Sequence, residues 1–175
     1  MLRKISFLFF TAILLSVASA RAQNAPATEC DSLAGHPNDP QRKAPGLSPD
    51  KINAATAVPA CEAAVRQYPT DLRLIFQLGR AYEAAKNYPG AIAQYQKAAD
   101  QNYAPAENSL GFDYVLGVGI AKDDDKALAW FRKSADLGFA PGQSNLATMY
   151  QQGKGVAKNS QEALKWYRLA AAQKV

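Results

Sequence analysis

One histidine and two cysteines in a chain of 175 residues are too few ligands for a His/Cys metal cage, and they leave few nucleophile–base pairs to weigh. Neither sign of charge dominates. The 20 bases and 15 acids give +5. Setting aside Arg3 and Lys4, for the reason given below, leaves 18 bases against 15 acids, too slight an excess to argue for nucleic acid or an anionic membrane as partner. Charged residues make up 20% and apolar residues 48%, the composition of a globular chain rather than a disordered one. The length suits one ordinary domain or two small ones.

Long uncharged apolar sequence occurs only at the start. Arg3–Lys4 precede a run from Ile5 to Ala18 without charge, and the run ends in Ala18-Ser19-Ala20, with a second small-residue exit at Ala20-Arg21-Ala22. A basic start, an apolar stretch and an A-x-A exit are the parts of a cleaved secretory signal. The run is short for a membrane span of about 20 residues. Residues 1–20 are therefore expected to direct export and be removed, giving a periplasmic or secreted chain without membrane insertion. Cys30 follows Ala27-Thr28-Glu29, which is not a lipid-attachment box.

An oxidising compartment favours pairing the two cysteines, Cys30 with Cys61. The bridge would close a loop of about 30 residues, contributing roughly 3–4 kcal/mol. It would tether residues 21–48, rich in Pro, Gly, Asn and Asp and without periodicity, so expected to be irregular. The rival reading is a thiol nucleophile served by His36. That histidine sits in a Gly-His-Pro turn with no neighbour in sequence to orient its ring, as a triad needs.

A 36-residue shift organises the rest. It lays Ala106–Tyr114 over Gly142–Tyr150, Gly117-x-Gly119 over Gly153-x-Gly155, Lys122-Asp123 over Lys158-Asn159, and Trp130-Phe131 over Trp166-Tyr167. An earlier copy runs from Leu78-Gly79-x-x-Tyr82 through Ala91, Tyr95 and Ala98-Ala99, and is four residues shorter in its middle loop. Each copy reads as two helices, with small residues at the close approach (Gly79, Gly111, Ala147), aromatics in the wider gaps, and prolines at helix starts. Asp123 and Asn159 suit helix N-caps.

On these elements (Leu-Gly-x-x-Tyr, Gly-x-Gly-[Val/Ile]-x-Lys-Asp/Asn and Ala-x-x-Trp-[Tyr/Phe]), residues 102–173 resemble two copies of the Sel-one-like repeat, a cousin of the tetratricopeptide repeat. Residues 71–104 resemble an ordinary tetratricopeptide unit more closely. Ile120, Asn159 and Ile75 depart from the usual residues. The predicted fold is an all-α right-handed superhelix: a lead-in helix over 49–68, started by Ser48-Pro49 and kinked or broken at Pro59, then repeats over about 71–104, 105–140 and 141–175. The resemblance implies protein–protein interaction, by an adaptor, scaffold or regulator of the cell envelope. Two alternatives are a hydrolase of the β-lactam-binding cysteine-rich repeat type, whose cysteines would lie inside the repeats as these do not, and a subunit of a larger envelope or secretion assembly.

The Gly-x-Gly pairs also resemble fragments of phosphate loops, but no strand precedes them, and glycine serves a turn between helices equally well. Asp123-Asp124-Asp125 suits a helix N-terminus, since consecutive helical residues do not converge on a metal. No metal, cofactor or catalytic residue is expected. A solenoid exposes one face of its first helices. The register places Arg73, Phe76, Arg80 and Glu83 on that concave face in the first copy, Asn108 and Phe112 in the second, and Ser144, Thr148 and Gln151 in the third. An exposed Phe flanked by arginines suits an extended or acidic peptide of an envelope partner. The same spacing also allows Phe76 to pack on the lead-in helix and Phe112 to be rim.

Overall fold

The computed structural model describes residues 25–173; the expected leader, residues 1–20, and both cleavage positions lie outside them. Eight α-helices, one 3-10 turn and no strand occur among the described residues. In chain order they are α1 (Glu29–Ala34), the 3-10 turn Pro49–Lys51, α2 (Ala54–Gln67), α3 (Leu72–Ala84), α4 (Tyr88–Ala99), α5 (Ala104–Leu116), α6 (Asp124–Asp136), α7 (Ala140–Gln152) and α8 (Ser160–Ala171). From α2 onward each helix packs chiefly on its neighbours in sequence. That is the contact pattern of a helical repeat solenoid, here with the pairs α3–α4, α5–α6 and α7–α8.

Residues at the helix ends set the limits. The side-chain oxygens of Asp71, Asn87 and Asp123 accept the amides of Leu74 (3.1 Å), Gly90 (3.2 Å) and Lys126 (3.0 Å), satisfying donors that no helical carbonyl can reach. Asn159 accepts from Gln161 and Glu162, both at 3.1 Å. α5 and α7 begin differently, with Tyr103 and Phe139 at the cap position, no side-chain cap bond, and a proline in the first turn. Both end on a left-handed glycine, Gly117 at φ 71° and Gly153 at φ 70°. Two residues later the second glycine packs on the preceding pair: a Cβ on Gly119 would lie 2.5 Å from that of Tyr88. The glycine pairs thus stop a helix and then let backbone approach backbone.

Three apolar clusters follow one another along the array. Cys30, Ala34, Ala57, Cys61, Leu74 and Leu78 belong to the first. Ile75, Phe76, Tyr95, Tyr103 and Leu110 belong to the second, and Ala127, Phe131, Leu146 and Met149 to the third. Tyr82 packs against both the first and the second.

The N-terminal end differs from expectation in three ways. Pro49 opens the 3-10 turn instead of the helix, because Ile52 is buried in an extended conformation and Asn53 caps α2, accepting from Ala55 at 3.0 Å. α2 then continues through Pro59 without a break. Both Pro59 and Ala55, whose carbonyl loses its helical partner, are exposed, so water satisfies what the proline removes. Finally, Glu29–Ala34 is helical within the segment expected to be irregular. The Thr28 amide donates to Asp31 Oδ2 at 2.8 Å, closing the first turn.

Candidate functional site

The N-terminal segment lies across the face of α3. Cys30 of α1 and Cys61 of α2 sit at disulfide-bonding distance, S–S 2.04 Å, with both side chains fully buried. From this anchor the segment meets successive turns of α3. Asp31 accepts from the Arg73 guanidinium and from Gln77 Nε2 at 3.0 Å. Arg73 Nη2 also donates to the carbonyls of Ala25 (3.3 Å) and Pro26 (3.4 Å) and pairs with Asp71 at 3.4 Å. Two turns on from Arg73, Arg80 donates to the carbonyls of Ala34 (2.7 Å), Gly35 and Leu47 (2.6 Å). Burial opposes the charge of Asp31, but the hydrogen bonds from Arg73, Gln77 and Thr28 outweigh it and hold the carboxyl below its ordinary range.

Beyond α1 the chain turns over the aromatic side of the array. The His36 ring lies between those of Phe76 and Phe139, with centroids 5.8 Å and 6.2 Å away. Its Nδ1 accepts the Asn38 amide at 3.1 Å. Burial, helped by the charge of Arg80, pulls its pKa down to about 4, so the imidazole is neutral near pH 7. Asp39 accepts from the Tyr103 hydroxyl at 2.6 Å and the Gln41 amide at 2.8 Å; burial raises its pKa.

This arrangement corrects part of the expected groove. Arg73, Phe76 and Arg80 do share one face of α3, yet they are 1%, 0% and 4% exposed and hold the chain's own N-terminal segment instead of facing solvent. Glu83 is half-buried and accepts from the Tyr95 hydroxyl at 2.6 Å. Asn108 is buried, accepting from Asn145 at 2.8 Å. Phe112 remains 43% exposed, its ring edge-on to Phe131 with centroids 5.4 Å apart. Ser144 and Thr148 are half-buried and joined by a 3.0 Å bond from the Thr148 hydroxyl to the Ser144 carbonyl. Gln151 is exposed and accepts from Tyr167 at 3.1 Å.

Beside the N-terminal turn opens a cleft of about 740 Å³ whose walls include Pro37, Asp39, Arg42, Leu137, Phe139 and Ser144. Leu137 is 51% exposed there. Sequence reasoning missed Asp31, Asp39, Gln77 and Tyr103. Of these only Asp31 left a local trace, in Thr28-x-x-Asp31, the spacing of a capping box. The thiol–imidazole pair is not assembled here, since Cys30 and Cys61 sit at bonding distance from each other and His36 lies against Phe76 and Phe139. Among the described residues no cluster of three or more His, Cys, Asp or Glu side chains is placed to hold a metal. No described helix is long and apolar enough to cross a membrane.

Repeated helix pairs, two of the three with a left-handed glycine between partners, define a protein of the helical-repeat class. A family model for the Sel1 repeat matches residues 75–103, 104–139 and 140–175, and the chain belongs to the Sel1 repeat family. No curated protein matches it significantly. Among solved structures, it is similar to a Sel1 repeat protein from Oxalobacter formigenes, 30% identical, over 67% of this chain and 92% of that one, with a TM-score of 0.62. It is also similar in fold to a protective antigen present in uropathogenic Escherichia coli strains that displays an SLR fold. There the identity is 24% and the TM-score 0.63, covering 94% of this chain and 33% of the antigen. The family's repeats generally serve as non-enzymatic scaffolds for protein–protein contacts.

Proposed function

We propose that the chain is an exported adaptor, scaffold or regulator that holds a segment of a cell-envelope protein on the concave side of its array, working without a cofactor. The observation that carries this reading is the cleft between the N-terminal turn and the third pair. It joins apolar wall (Leu137, Phe139), an exposed guanidinium (Arg42) and polar main-chain and hydroxyl groups around Ser144, the mixture that protein interfaces use for anchor and orientation. Phe112 and Leu116, 43% and 67% exposed and four residues apart on α5, extend the available apolar surface. Export is supported by the leader at Met1–Ala20, and the periplasm or exterior would keep Cys30 and Cys61 paired.

The experiment is capture from solubilised native envelope on the immobilised chain, alongside Ser144→Trp, which fills the cleft, and Phe112→Asp, which charges the face. Retention of one partner that both substitutions weaken, at unchanged helix content, supports the reading. Retention indifferent to both, or turnover of a substrate above background, contradicts it. A second reading, one subunit of a larger assembly, is favoured by Leu164 and Leu169 of α8, 49% and 43% exposed. Sedimentation before and after Leu169→Lys distinguishes the two.

A further inference from the structure

We propose that the turn His36–Leu47 is an intramolecular occupant of a peptide-docking site, and that this site takes in trans a turn-forming partner segment carrying a ring side chain followed three residues later by a carboxylate. The inference rests on the reading of the array as an interaction module and specifies the kind of partner the module fits.

The turn contacts the array as a bound peptide would. It places two side chains against the repeats: the His36 ring between Phe76 and Phe139, and the Asp39 carboxylate on the Tyr103 hydroxyl. Asn38, Pro40, Gln41, Arg42, Lys43 and Pro45 are exposed. The receiving groups come from all three helix pairs, Phe76 from α3, Tyr103 from the start of α5 and Phe139 from the start of α7. The turn therefore reaches all three pairs while closing on itself, the Asp39 amide donating to the His36 carbonyl at 3.1 Å, that of Arg42 to Asp39 at 3.2 Å and that of Leu47 to Gly35 at 2.8 Å.

Tyr103 and Phe139 stand 36 residues apart, at one position of their copies, where α3 has Asp71. Asp71 caps its own helix. The two aromatics forgo a cap bond worth about 1 kcal/mol and instead bury their rings beneath the turn, at 3% and 7% exposure. The main chain at the two ends of the turn is gripped through carbonyls, with Arg80 donating to Gly35 and Leu47. Such bonds hold the closed ends of a turn whatever its sequence, leaving the two rings and the hydroxyl to read side chains. A covalently tethered occupant has a high effective concentration, so a free segment competes only when the anchors of the turn are weakened or its own are better.

The test uses the full chain carrying His36→Ala and Asp39→Ala, with the Cys30–Cys61 bond and the Arg73–Asp31 pair retained. The probe is a fluorescent synthetic peptide of residues 33–48, which includes both main-chain anchors of the turn. The altered chain is expected to bind the peptide at least about tenfold more tightly than the unaltered chain does, with helix content unchanged. Adding Tyr103→Phe should weaken that binding roughly tenfold, the loss expected for one hydrogen bond to a charged group. The peptide with alanine at both anchor positions should not bind. Equal binding to both chains would place the peptide elsewhere and overturn the proposal. So would absence of binding to the altered chain, or loss of its helices, since the turn would then be an inseparable part of the core. Failure of envelope capture by the unaltered chain bears on the proposed function and leaves this result standing.

Discussion

Replacing Asp31 by alanine probes the clamp that seats the N-terminal segment. Its carboxylate is 1% exposed and accepts from Arg73, Gln77 and Thr28. Removal strands the Arg73 guanidinium, itself 1% exposed, with Asp71 at 3.4 Å and the carbonyls of Ala25 and Pro26 as its remaining partners. Breaking a buried pair from one side costs about 3–5 kcal/mol. The remaining acceptors place Asp31→Ala near the lower end, roughly 3 kcal/mol. Replacing both partners by apolar residues, Asp31→Leu with Arg73→Met, should recover part of the loss, because no guanidinium is then stranded, while the buried Asp71 carboxylate, which loses the same arginine, keeps the amides of Ala25 and Leu74. Urea unfolding followed by circular dichroism, with the disulfide intact throughout, measures both. The sign with pH follows from the lowered pKa of Asp31: its contribution is present above the unfolded carboxylate value and disappears as pH falls through the folded one. A loss below about 1 kcal/mol for the single change, or a double change as costly as the sum of the singles, would refute the assignment of a desolvated, mutually dependent pair.

Three further outcomes are expected. Cys30→Ala with Cys61→Ala should lower unfolding free energy by roughly 3–4 kcal/mol, the loop entropy for a separation of 31 residues; equal stability of oxidised and doubly altered chains in urea contradicts this. Gly79→Leu should destabilise by about 1–3 kcal/mol or more, since even a Cβ would lie 2.5 Å from Tyr95 Cε1, and a thermal midpoint at the wild-type value would remove Gly79 from the close approach. Glu107 and Asp113 are buried, each with one oxygen lacking a hydrogen-bond partner, and burial raises both pKa values to about 7, with nearby Asp136 and Glu83 respectively adding to it. Both folded values exceed the unfolded ones, so the folded state holds more protons between about pH 4 and 7 and stability falls as pH rises through that window. Glu107→Gln with Asp113→Asn should flatten this slope and raise stability at pH 8, whereas an unchanged pH profile would show that neither group is desolvated.

The repeats could be read from the sequence because their determinants are local and recur. Gly117 and Gly153 stop helices, Asp123 and Asn159 cap them, and Gly79 or Gly111 meets an aromatic of the paired helix; each of these contacts lies within one copy. The seat of the N-terminal segment could not be read in that way. Arg73 meets Asp31 across 42 residues, Arg80 meets Ala34 across 46 and Tyr103 meets Asp39 across 64. The segment itself, with Pro37, Pro40, Pro45 and Gly46, has no period to announce where it lies. Helical spacing put Arg73, Phe76 and Arg80 on one face of α3, and they are there. What covers that face is a non-local contact, so three side chains read as ligand-binding proved to hold the chain's own N-terminal segment. Pro59 shows a smaller gap of the same kind: a proline breaks a buried helix, but on the wet side of α2 the lost bond passes to solvent.

The account turns on that segment being seated, and hydrogen–deuterium exchange of the oxidised full chain observes it directly. Peptides covering residues 25–34 should exchange as slowly as those of α3, and those covering 36–47 more slowly than an unstructured chain, with protection of the Leu47 amide, which donates to Gly35 at 2.8 Å. Exchange of residues 25–47 at the unstructured rate, while α3 stays protected, would mean that the face of α3 is open, and would contradict the account.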